Sequence, residues 1–213
     1  MTKNLILSII DNKHEKFTEY NKFIVEINNT FKSFKNADYE CILLSEIKSN
    51  ISLIETIRSI SSKNKYELIF LYYNAEGCTF QDEYALVAVD EKEKPIRINE
   101  LFNILSEKNN KVNIVTILHC GFNLCKTEFG EEFPVILKNK NCWVGCLAMK
   151  PDAININEIH CEIIMKIIKA KKFTSLHDMW TEIKKGNVSK SAHYLVYNSG
   201  VNEAFMKFVA ESI

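Results

Sequence analysis

The chain has no excess charge of either sign, since Lys and Arg together number 27 and so do Asp and Glu. It therefore lacks the basic surplus through which a protein engages nucleic acid or an anionic membrane surface, and neither partner is expected. No apolar run approaches the roughly 20 residues of a membrane-spanning helix. The short apolar stretch Asn4–Ile10 is not followed by a small-residue cleavage site, so it reads as a first strand rather than a secretory signal. Because that strand starts almost at the terminus, no module is expected ahead of it. With no internal repeat, low-complexity tract or linker, residues 1–213 are expected to form one domain. Cysteine usage excludes a closed disulfide framework, because seven is an odd number. The plain reading is buried reduced thiols in a cytoplasmic protein. Zinc held by Cys120, Cys125, Cys142 and Cys146 is the sharper alternative. Those spacings are looser than a structural zinc knuckle favours, so no metal and no other cofactor is expected.

What the chain does have is 46% hydrophobic and 25% charged residues, the balance of a globular domain with a sizeable core. Two apolar runs dominate, Leu68–Tyr73 and Val112–Leu118. Each has the length and branched or aromatic content of a strand buried on both faces. The first is expected to break at Asn74-Ala75-Glu76-Gly77 and the second to end at His119-Cys120-Gly121. A helical pattern over Asn99–Glu107 lies between them, with Leu101, Phe102 and Leu105 facing inward. The unit is thus a right-handed parallel crossover. Sheets of this kind place chemistry just past the carboxyl ends of their strands.

Around this unit the chain alternates strand and helix. Glu40–Ser45 reads as a strand, followed by a helix capped by Asn50 with Ile51, Ile54, Ile57 and Ile60 on its inner side. An earlier helix carries Phe23, Ile24, Ile27, Phe31 and Phe34 on one stripe. Tyr84–Val89 is a short strand, and the charged run Asp90–Lys94 before Pro95 reads as a solvated loop. Gly121–Asn141 reads as a further loop, Cys142–Met149 as a strand, and Ile156–Ile168 as a strongly amphipathic helix. Thr174 opens a helix with Leu176, Met179, Trp180 and Ile183, Ala192–Tyr197 is the last strand, and Asn202 opens a terminal helix. The alternation predicts a three-layer α/β/α sandwich.

Three segments in register resemble the caspase and metacaspase family. That family has a strand ending in Tyr-Ser-Gly-His-Gly, a Tyr-Leu-Val-Pro-Val-Asp segment, then a helix and a strand ending in Asp-Ala-Cys. Here they are Tyr73-Asn74-Ala75-Glu76-Gly77, Tyr84-Ala85-Leu86-Val87-Ala88-Val89-Asp90 and Leu118-His119-Cys120. The resemblance implies a mostly parallel six-stranded caspase-like sheet. It also implies that Cys120 stands at the position of the nucleophile and Gly77 at that of an oxyanion-hole donor. The acid–base histidine is replaced by Glu76. Leu118 occupies the substrate-binding position at which metacaspases carry Asp and caspases Gln.

A free thiol has a pKa near 8.5, so without a cationic partner only a few per cent is thiolate at neutral pH. A neighbouring carboxylate raises that value further. Lost acid–base help costs a factor of about 10² to 10⁴ in rate. His119 neighbours Cys120 in sequence, but adjacent strand residues point to opposite faces, so it is not expected to serve as the base. His14, His160, His177 and His193 read as surface or cap residues. Gly121–Asn141 contains no Asp, which disfavours maturation by cleavage after Asp, while Lys126, Lys138 and Lys140 leave basic-specific processing open. The expectation is a pseudopeptidase that regulates or binds a protein partner in cell-death or protease signalling, such as an active caspase-like peptidase or its regulator. An active cysteine endopeptidase using Cys120 with an unconventional base is the alternative. The strand His193–Tyr197 is apolar enough to be an edge that another chain covers, or equally a covered core strand; the resemblance leaves both a caspase-like dimer through this last strand and a metacaspase-like monomer open.

Overall fold

The computed structural model describes residues 3–10, 22, 24–26, 28–29, 38–80, 83–87, 93–122, 141–149, 176–185 and 192–201. In chain order the elements are β1 (Lys3–Ile10), β2 (Asp38–Leu44), α1 (Asn50–Lys63), β3 (Tyr66–Phe80), β4 (Glu83–Val87), β5 (Ile96–Arg97), α2 (Ile98–Ser106), β6 (Asn113–Phe122), β7 (Cys142–Met149), α3 (Leu176–Lys185) and β8 (Ala192–Ser199). The main sheet runs in the order β2-β1-β3-β6-β7-β8. Its first five strands are parallel and β8 is antiparallel to β7. β4 and β5 form a small antiparallel extension on the tail of β3. The mostly parallel α/β sheet is therefore present as expected, although β4 and β5 bring the six strands of the main path to eight. The expected helices over 156–168 and from 202 onward, and the loop 123–140, lie outside the described residues.

Strand alternation sorts the core into two layers. On one face Leu5, Leu7 and Ile9 of β1, Ile69, Leu71 and Tyr73 of β3, and Ile114 and Leu118 of β6 pack against two helices. Those helices contribute Leu53 and Ile57 from α1 and Leu101, Phe102 and Leu105 from α2. On the other face Phe70, Tyr72, Val115, Ile117 and Trp143 are equally buried. There Trp143 meets Trp180 of α3 edge to face, with ring centroids 5.6 Å apart. Gly145 makes that contact possible, since a Cβ at this position would lie 2.6 Å from the Trp180 ring and 2.7 Å from that of Trp143. Across 22–29 the described positions are helical, and Ile24 is fully buried.

Several boundaries differ from the sequence reading. β3 does not break at Asn74–Gly77 but continues to Phe80, because β4 takes up its tail through Glu76↔Val87, Gly77↔Leu86 and Cys78↔Ala85. Ladder pairing satisfies the backbone of residues whose composition suggests a turn. The helix cap is Ser49 rather than Asn50. Ser49 Oγ accepts from the Ser52 backbone N–H at 3.0 Å, and Ser52 Oγ accepts from the Ser49 backbone N–H at 3.0 Å. Ile51 is 71% exposed and belongs to the outer side of α1. Steps of three residues each lag a helical turn by about 60°, so 51, 54, 57 and 60 fan across half the circumference. The buried stripe is Asn50, Leu53, Ile57 and Ile60. The charged run before Pro95 is more than solvated surface. Glu93 Oε2 accepts from the Asn50 backbone N–H at 2.6 Å, and Asn50 Nδ2 donates to the Lys94 carbonyl at 3.1 Å. A carboxylate is thus seated on the positive end of α1.

Candidate active site

β3 and β6 are adjacent and parallel, so the crossover brings their carboxyl halves side by side. In register, Tyr73 lies level with Leu118, Asn74 with His119, Ala75 with Cys120, Glu76 with Gly121 and Gly77 with Phe122. Glu76 and Cys120 are therefore on neighbouring strands, displaced by one position, although 44 residues apart in sequence. Glu76 is a mid-strand position, level with Gly121 on one side and with Val87 of β4 on the other. Gly77 is buried between Leu86 and Phe122. On the far side of β6, Cys120 is level with Ala148 of β7.

Leu118 lies within the core. It is 1% exposed, level with Tyr73 and with Cys146, and it packs in the layer between the sheet and the helices α1 and α2.

His119 lies on the opposite face from Leu118 and is 1% exposed. Its Nδ1 is 3.1 Å from the Tyr72 hydroxyl, and the two rings meet edge to face with centroids 6.5 Å apart. Asn74, level with His119, is 8% exposed on the same face. Tyr72 and Asn74 were not singled out in the sequence. Alternation alone puts Asn74 on the face of Tyr72, whereas the β6 partner of Asn74, His119, is given only by the register. Of the remaining histidines, His177 is exposed on α3, as expected of a surface residue. His14 and His160 lie outside the described residues.

Among the described residues the cysteines do not assemble a metal centre. Cys142 and Cys146 are both buried on β7, four residues apart on one strand and so about 13 Å apart, too far to share an ion. Burial pushes the Cys146 thiol far above its ordinary range, which favours the neutral form over the thiolate a metal needs. Cys125 lies outside the described residues. Among the described residues no group of three or more His, Cys, Asp or Glu side chains could hold a metal ion. No helix among them is long and apolar enough to cross a membrane.

No protein-family model matches the chain, and no curated protein matches it in sequence. Its fold is nonetheless similar to that of solved structures. The Drosophila initiator caspase Dronc superposes with a TM-score of 0.65 at 9% sequence identity, covering 94% of this chain and 81% of that one. A protein from Geobacter sulfurreducens superposes with a TM-score of 0.54 at 8% identity, covering 95% of each chain. At such identities the likeness is one of fold, and the fold is caspase-like.

Proposed function

We propose that this is a catalytically degenerate caspase-like domain, a pseudopeptidase that binds or regulates a protein partner without cleaving it. The observation that carries the proposal is Glu76. By its motif it corresponds to the family's acid–base histidine, and it lies on the strand next to that of Cys120. A carboxylate there opposes formation of the thiolate and, while ionised, has no proton to give a departing amine. Three further observations support the reading. His119 is enclosed on the sheet face opposite Leu118 and shares a hydrogen bond with Tyr72. Gly77 is buried between two strands, a setting in which backbone N–H groups are committed to neighbouring carbonyls. Leu118 serves the core.

The partner class is a protein in cell-death or protease signalling, an active caspase-like peptidase or its regulator, met in the cytoplasm. β8 ends the strand order of the sheet, which favours pairing between two copies through that strand.

The test is labelling with peptidyl fluoromethyl ketones bearing Asp, Arg or Lys next to the warhead, read by peptide mapping at Cys120. Labelling of the native protein is expected to be no faster than that of the urea-unfolded chain. Cys120 alkylation by iodoacetamide is expected to rise with pH as for an ordinary thiol. Rapid, peptide-dependent modification of Cys120 in the native protein would overturn the proposal and favour an active endopeptidase with an unconventional base.

A further inference from the structure

We draw no further inference here: the strongest candidate, the open pocket of about 310 Å³ that Leu43, Leu44, Ile47 and Leu53 line between the carboxyl end of β2 and the start of α1, carries none because nothing in the structure shows what covers it.

Discussion

A carboxylate that replaces an imidazole removes two functions at once, the cation that stabilises a thiolate and the acid that protonates a leaving group. On the proposed reading, returning the imidazole with Glu76→His addresses both, yet it leaves the substrate unread. Leu118 is enclosed between the sheet and α1 and α2, so under the proposed correspondence the position that would recognise the residue before the scissile bond carries no polar atom. Positioning can be worth as much as proton transfer. Glu76→His is therefore expected to fold, and to turn over pooled fluorogenic peptides at least about 10²-fold more slowly than active family members. Turnover matching those enzymes would make Glu76 the only lesion. The companion change Leu118→Asp, which motif logic alone would suggest, is no remedy. It buries a carboxylate without a partner in an apolar layer, and loss of the cooperative unfolding transition is the expected outcome.

The start of α1 shows how far local sequence carries an element. Its existence was legible from the isoleucines, but its cap was not. The segment Ser49-Asn50-Ile51-Ser52 offers two candidate caps one residue apart, and a serine at the third helical position is a weaker signal than the usual Glu or Gln. Glu93, whose carboxylate bonds the Asn50 N–H, lies 43 residues away, where no periodicity could reveal it. The same limit hid the continuation of β3. Asn74–Gly77 has the composition of a turn, and only pairing with β4 on one side and β6 on the other makes it a strand. Around the candidate site, adjacency of Glu76 and Cys120 was legible from the crossover, whereas the enclosure of Leu118 and the Tyr72–His119 bond required the register. Glu93 yields a measurable consequence. Glu93→Ala removes both acceptor and charge at a helix N-terminus and should cost about 1–2 kcal/mol in urea unfolding. Glu93→Gln keeps an acceptor and should cost less, by a margin over wild type that shrinks in high salt. Equal stability of all three would show that the 2.6 Å contact contributes nothing.

At the scale of the whole molecule, the sheet is held at its amino edge by a polar clasp and elsewhere by apolar layers. The Tyr66 hydroxyl donates to Glu40 Oε2 at 2.7 Å, and Asn64 Nδ2 donates to the same oxygen at 3.1 Å. Asn109 Nδ2 donates to the Tyr66 carbonyl at 2.7 Å, tying the turn before β6 to the start of β3. Burial raises the Tyr66 phenol from 10.0 to about 12; the Asn64 hydrogen bond pulls the other way, and Glu40 adds to the rise. Tyr39 is likewise raised to about 12, by burial first and then by Cys41 beside it on β2. Cys146 moves in the same direction from 9.0 through burial alone. Each folded-state value lies above its unfolded counterpart, so the unfolded chain releases these protons first. The stabilisation is complete below pH 9.0, begins to fall as the unfolded thiol ionises, and falls more steeply from pH 10.0 to about 12 as the unfolded phenols follow. Urea midpoints followed through Trp143 and Trp180 fluorescence should therefore decline across that alkaline window. Tyr66→Phe should start less stable, because Glu40 loses its phenol donor, and then lose less stability between pH 10.0 and about 12. A variant declining as steeply as wild type would show that Tyr66 titrates as it does in the unfolded chain, and the clasp would then be solvated rather than closed.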